Sequence, residues 1–415
     1  MLALSKIKTF FFALVTLFLT SCEVSYVNLR NVQMMPHLDH DRVIRVYMDR
    51  YGDFYPKTEV AIGDDFRVRA KPSDSTCASL SDYFTRDKNR MAMLTAAYSV
   101  DQGLTVNKAY ELVQQKIIAG YGERVQQLIE KEKPDNLVFL VHGFNDPIIP
   151  DTIYPHIREK IEERGTRNVY VYVYWDGLDA GGYKFGDVAK IWMPSNYNAR
   201  WASLSLRRLI QEAETGKQVP IVMITHSLGA GVATGALFNT SHNWKPEKYV
   251  SQAKLDRLKQ LSLSIPTPTV RIRLGVIAPA IGGAATFCDL NERVPKLVSQ
   301  TGTNNIDRLV IGYNPFDYAV SKDLFDLSLA PVYGSTTLGC NYYYGGEKKR
   351  SEIELVQDTL RHQDYSPELI YQMVKPIRFD TPTRPKTLKN HEHIIPYYIA
   401  DEAHLEPFID FLFRN

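Results

Sequence analysis

From residue 136 onward, apolar runs and amphipathic stretches alternate along the chain. LVFLV (residues 137–141) is a short continuous apolar run, the pattern of a strand buried on both faces. Residues 151–164 read as a helix stopped by Gly165. VYVYVYW (169–175) alternates Val and Tyr at period two, which predicts a strand. Residues 197–214 read as a helix, IVMIT (221–225) as a strand, and residues 227–238 as a helix despite their glycines. Further strands are expected at 270–278, 308–313 and 371–379, and a last helix at 401–413. Strands joined by helical crossovers imply an α/β class: a mostly parallel sheet flanked by helices.

Residues 22–133 carry a different pattern. A hairpin is expected over 43–62, around DRYGDFYP, and helices over 87–100 and 106–131, the second interrupted at Gly120 and Gly122. This reads as an N-terminal α+β extension to a domain covering 134–415. HLDHD (37–41) has the residue types of a metal site but a spacing that fits a solvated turn better.

Composition narrows the picture. The chain is 44% hydrophobic and 23% charged, with a formal net charge of +2. That balance is globular and gives no sign of a nucleic-acid binder, which usually shows a basic excess. Residues 1–21 carry Lys6 and Lys8, then an apolar core too short to span a bilayer but the right size for a signal peptide. They end in LTSC, which resembles a bacterial lipobox. The resemblance implies that Cys22 is lipidated and tethers the mature chain to a membrane of the cell envelope. Three cysteines would then remain: Cys77, Cys288 and Cys340. Their spacing offers no CxxC metal signature, and Cys288 with Cys340 could pair in an oxidising compartment.

The candidate chemistry centres on VMITHSLGAG. Ser227 directly follows a buried strand and precedes a helix. A tight strand-to-helix turn there exposes Oγ at the strand's carboxyl end, where open α/β sheets bind ligands. Gly229 supplies the small residue two positions after the Ser; Thr225 stands where the G-x-S-x-G pattern has its first Gly. A serine needs a base, a group that orients the base, and donors for the oxyanion. The N–H groups of Leu228 and of Phe144, in the loop of LVFLVHGFND, are the candidate oxyanion donors. Asp317, on the loop after RLVIGY, is the candidate acid, with Asp289 in reserve. The base should follow the last strand and precede the last helix, which leaves KNHEHIIPYY. His391 is favoured there and His393 is the alternative. A metal-binding H-x-H lacks a third ligand nearby, so no metal or cofactor is expected.

VHGFN, YWDG, THSLG, GYNPFD and NHEH stand in the order of the serine hydrolases of the α/β-hydrolase fold. The chain resembles that family on its bacterial esterase and lipase-like side, from residue 136 to the C-terminus. The resemblance implies that Ser227 attacks an acyl carbonyl of a small-molecule or lipid ester, with water releasing the acyl-enzyme. It leaves open acyl transfer, and a non-catalytic envelope lipoprotein that uses the fold for binding. Residues 178–196 and 324–346 read as insertions around the mouth of such a site, as lids or packing loops.

Overall fold

The computed structural model describes residues 42–414 apart from internal stretches, the longest being 67–78, 239–255, 287–305 and 380–392. The signal segment, Cys22, the HLDHD stretch, Cys77, Cys288, Asp289 and His391 lie outside the described residues. Among the described residues no helix is long and apolar enough to cross a membrane.

The core is one seven-stranded sheet, and every pairing in it is parallel. Its strands are β1 (Val43–Met48), β2 (Asn136–Val141), β3 (Asn168–Trp175), β4 (Ile221–His226), β5 (Ile272–Ile277), β6 (Ile306–Tyr313) and β7 (Val374–Arg378). They lie in the order β1-β3-β2-β4-β5-β6-β7. All residues of β2, β3, β4 and β5 are buried, as expected where helices cover both faces. In β3 the period-two pattern is therefore one of size rather than polarity. Tyr170, Tyr172 and Tyr174 fill one face, and Val169, Val171 and Val173 the other. Tyr154 packs on Tyr172 and Tyr174 and donates its hydroxyl to the Val173 carbonyl at 2.9 Å.

The N-terminal segment departs from expectation. The chain does turn back at DRYGDFYP, through the antiparallel bridge Met48 to Phe54 and the bonds of Asp49 N–H to the Asp53 carbonyl (2.9 Å) and of Tyr55 N–H to the Tyr47 carbonyl (3.0 Å), but among the described residues the second arm forms no strand, and β1 pairs in parallel with β3. The extension thus donates the edge strand of the main sheet. Its helices are α1 (Leu80–Thr85), α2 (Lys88–Ala97) and α3 (Val106–Glu132). The last runs unbroken through both glycines. Gly122 marks its close crossing with the helix at 185–213: a Cβ there would lie 2.5 Å from the Glu212 Cβ.

The later helices are α4 (Ile149–Glu162), α5 (Phe185–Ala213), α6 (Gly229–Phe238), α7 (Tyr318–Ser321), α8 (Glu352–Arg361), α9 (Ile395–Ala400) and α10 (Glu402–Phe413). The insertion expected at 178–196 is helical from Phe185, as the first half of α5, which continues through Pro194. The second insertion, 324–346, follows α7 and holds a 3-10 turn at Thr337–Cys340 and the two-residue strands Leu327–Ser328 and Tyr343–Tyr344. Cys340 is buried, and its thiol donates to the Thr337 carbonyl at 3.3 Å.

Because the strands are parallel, their carboxyl ends share one edge. The chain adds β3 on one side of β2 and then β4 on the other. The loops leaving β2 and β4 therefore part to opposite sides, which opens a crevice at their carboxyl ends.

Candidate catalytic triad

Ser227 sits at that crevice. β4 ends at His226, α6 begins at Gly229, and Ser227 between them has φ = 53°, in the left-handed region. For a residue with a Cβ, such a conformation costs on the order of 1–3 kcal/mol and needs its surroundings to hold it. Three backbone bonds do so. The Ser227 N–H donates to the Ile277 carbonyl (3.0 Å), and the Ser227 carbonyl accepts from Ala230 (3.1 Å) and Ala280 (3.0 Å).

The turn is crowded in a way that explains its small residues. A Cβ at Gly229 would fall 2.4 Å from the His142 carbonyl oxygen and 2.8 Å from that of Val141. One at Gly143 would fall 2.9 Å from the Ser227 Cβ. Thr225, by contrast, is an ordinary strand residue, paired with Val141 and Val276. The absence of the first Gly is therefore compatible with the sharp turn. Its cost lies elsewhere: the Thr225 hydroxyl is buried with no hydrogen-bond partner among the described residues.

The imidazole that reaches Ser227 belongs to His393. Its Nε2 lies 2.6 Å from Ser227 Oγ, and its Nδ1 lies 2.7 Å from Asp317 Oδ2. A carboxylate oxygen only accepts, so Nδ1 carries the proton and Nε2 is free to take the one on Oγ. The favoured position, His391, lies outside the described residues, and the alternative occupies the place expected of the base. The two are two residues apart, which in an extended segment puts both side chains on one face. Periodicity could not choose between them.

Asp317 is fully buried and receives four donors. The backbone N–H groups of Ala319 (3.0 Å) and Val320 (3.3 Å) reach Oδ1, in the manner of a cap on α7. His393 Nδ1 and the Tyr398 hydroxyl (3.0 Å) share Oδ2. Tyr398, on α9, gave no signal in the sequence beyond its place five residues after the base.

The loop after β2 is fastened through His142. Its Nδ1 donates to the Gly143 carbonyl (2.7 Å), its Nε2 accepts from the Trp175 N–H (3.1 Å), and its carbonyl accepts from the Trp175 indole (2.8 Å). The two rings stack at 5.6 Å. Burial pushes the His142 imidazole down to about 4, so it is neutral at pH 7, and both nitrogens are committed. The loop's next tie is Asn145 N–H to the Gly177 carbonyl at 3.1 Å. The N–H groups of Leu228, which follows Ser227, and of Phe144, which follows Gly143, have no acceptor among the described residues. These are the two donors expected for an oxyanion.

The YWDG turn braces this end of the sheet. Asp176 is buried, accepts from the Leu178 N–H at 3.2 Å, and lies 3.8 Å from the Arg50 guanidinium just past β1. Burial raises its carboxyl, and the Arg50 charge opposes that rise. The N-terminal strand thus abuts the turn that supports the Phe144 loop.

The arrangement can hold a hydroxyl proton acceptor, orient it, and offer two N–H groups to a developing negative charge. Comparison of the chain with protein-family models, curated proteins and solved structures gave no match.

Proposed function

We propose that the protein is a serine hydrolase of the α/β-hydrolase type, acting on a carboxylic ester or related acyl bond. The observation that carries this reading is the unbroken chain from Asp317 through His393 to Ser227, at 2.7 and 2.6 Å, with the serine in a left-handed strand-to-helix turn. Ser227 Oγ attacks the acyl carbonyl while His393 Nε2 takes its proton. The carbonyl oxygen gains charge between the Phe144 and Leu228 N–H groups. His393 then returns the proton to the leaving alcohol, which departs and leaves an acyl-Ser227 ester. Water, deprotonated by the same nitrogen, attacks the acyl carbon; the acyl–Oγ bond breaks, His393 gives its proton to Ser227 Oγ, and the acid leaves. Asp317 keeps the imidazole in the tautomer that both steps need. The chemistry needs no metal or cofactor. The LTSC segment supports a lipid anchor at Cys22 and a place in a bacterial cell envelope, with the acyl substrate met there.

The test is labelling by a fluorophosphonate probe, beside Ser227→Ala. Labelling that depends on Ser227 supports the reading; labelling unchanged in Ser227→Ala, or absent from the wild type, refutes it. Radiolabelled lipid incorporation compared with Cys22→Ser tests the anchor, and unchanged incorporation would overturn it.

A further inference from the structure

We propose that His226, the residue before the nucleophile, is a positioning residue that sets the place of the base through the backbone of His393. This rests on the serine-hydrolase reading above. His226 Nε2 lies 2.8 Å from the carbonyl oxygen of His393. A carbonyl only accepts, so Nε2 carries the proton and donates. The ring is buried, with its centroid 5.1 Å from that of His393 and 6.2 Å from that of Tyr398. Its other nitrogen, Nδ1, is buried with no hydrogen-bond partner among the described residues, on the side facing Gly143. The imidazole is thus wedged between the loop that carries Phe144 and the segment that carries the base.

The ring stays neutral. Burial holds the His226 imidazole well below its ordinary range, and the nearby His393 pushes it the same way. When His393 becomes charged during the reaction, a neutral neighbour adds no repulsion, and its Nε2–H stays on the carbonyl.

The geometry gives His226 a task that its position in the sequence alone does not. Ser227 is set by β4, α6 and the strand after it. His393 precedes α9 on a different part of the chain. Its described ties before that helix are the carbonyl bond to His226 and the ring bonds to Asp317 and Ser227. The His226 bond is the one that fixes its backbone from β4, the strand that delivers Ser227. One strand end therefore carries the nucleophile and the anchor of its base. A misplacement of about 1 Å at a reacting pair can cost on the order of 10²-fold in rate.

The experiment follows the rate of fluorophosphonate labelling of Ser227 in the full chain. His226→Phe keeps the ring and removes the donor. His226→Gln keeps a donor at the reach of Nε2. The expected result is a loss of about tenfold or more in His226→Phe and a rate within about threefold of wild type in His226→Gln. Ester hydrolysis should show the loss in kcat with little change in KM. In a His393→Ala background, His226→Phe should change the residual rate by less than about twofold, because the contact acts through the base. If His226→Phe does not fold, His226→Asn replaces it with the same expectation, since its amide stops at the Nδ1 position. Equal labelling of wild type and His226→Phe would overturn the proposal. So would an equal loss with and without His393, which would assign the effect to the turn itself. A wild type that does not label at all would sink the hydrolase reading instead.

Discussion

Two glycines in the first turn of α6 should respond in opposite ways to the same added methyl group. At Gly229 a Cβ would lie 2.4 Å from one backbone oxygen, 2.8 Å from a second, and 3.1 Å from the His142 carbonyl carbon. All three are backbone atoms of Val141 and His142, at and just past the end of β2, so no side chain can swing aside. At Gly231 the nearest atoms are Leu228 Cδ1 at 3.6 Å and Ile281 Cγ2 at 3.8 Å, which is ordinary contact. Neither glycine has a positive φ, so the backbone accepts alanine at both. Helix preference favours alanine by up to about 1 kcal/mol. Overpacking against fixed backbone costs about 1–3 kcal/mol. Gly231→Ala should therefore be neutral or stabilising by up to about 1 kcal/mol, and Gly229→Ala destabilising by about 1–2 kcal/mol. The overlap also pushes the Val141–His142 segment away from the turn, and Phe144 with it. Loss of one oxyanion donor costs about 10²–10³ in rate, so a partial displacement should slow labelling by about tenfold. Urea unfolding measures the first effect and fluorophosphonate labelling the second. Equal stability and equal labelling of the two variants would refute the packing account of the turn.

Thr225→Val removes a hydroxyl that is buried without a partner and keeps the side-chain shape, so urea unfolding should show no loss of stability and a gain of up to about 1–2 kcal/mol; a loss of that size would mean that the hydroxyl is bonded. Acid should destabilise the fold through His142. Its folded value of about 4 lies below the ordinary value of about 6.5, so the unfolded chain takes up the proton first as pH falls, and stability is lost between those two values. The full effect is about 3 kcal/mol, and the lowered His226 acts in the same direction. Asp53, raised to about 6 by burial, acts in the opposite direction, as do the raised Asp49 and Asp176. The difference between wild type and His142→Gln isolates the histidine: the gap in unfolding free energy should narrow from pH 7 to pH 4.5, and a gap that does not change with pH would contradict the neutral, buried imidazole.

The central strands were legible because burial on both faces leaves its mark directly in the residues. LVFLV, VYVYVYW and IVMIT all lie within strands of the sheet. The elements that the local sequence does not encode depend on distant partners. DRYGDFYP carries local turn chemistry, but β1 finds its partner in β3, more than a hundred residues on, and no local pattern encodes that pairing. The first half of α5 carries Pro194, which cannot donate to the preceding turn and reads as a break. In the folded chain Ser195 Oγ lies 2.7 Å from the Ile191 carbonyl and 3.1 Å from the Gly177 carbonyl, its single proton shared between them, which ties this part of α5 to the turn after β3. At the site, Ser227, Asp317 and the two N–H donors follow from strand ends and turn residues. The choice between His391 and His393, two residues apart in the sequence, does not, and neither do the supporting roles of His142, His226 and Tyr398, which exist only once the strand ends are brought together.

The triad is tested by the rate at which a fluorophosphonate modifies Ser227, read by peptide mapping in wild type, His393→Ala and His391→Ala. Modification should fall at Ser227, drop about 10²-fold or more in His393→Ala, and stay near the wild-type rate in His391→Ala. Modification elsewhere in the chain, or a His393→Ala protein that labels as fast as wild type, would contradict it.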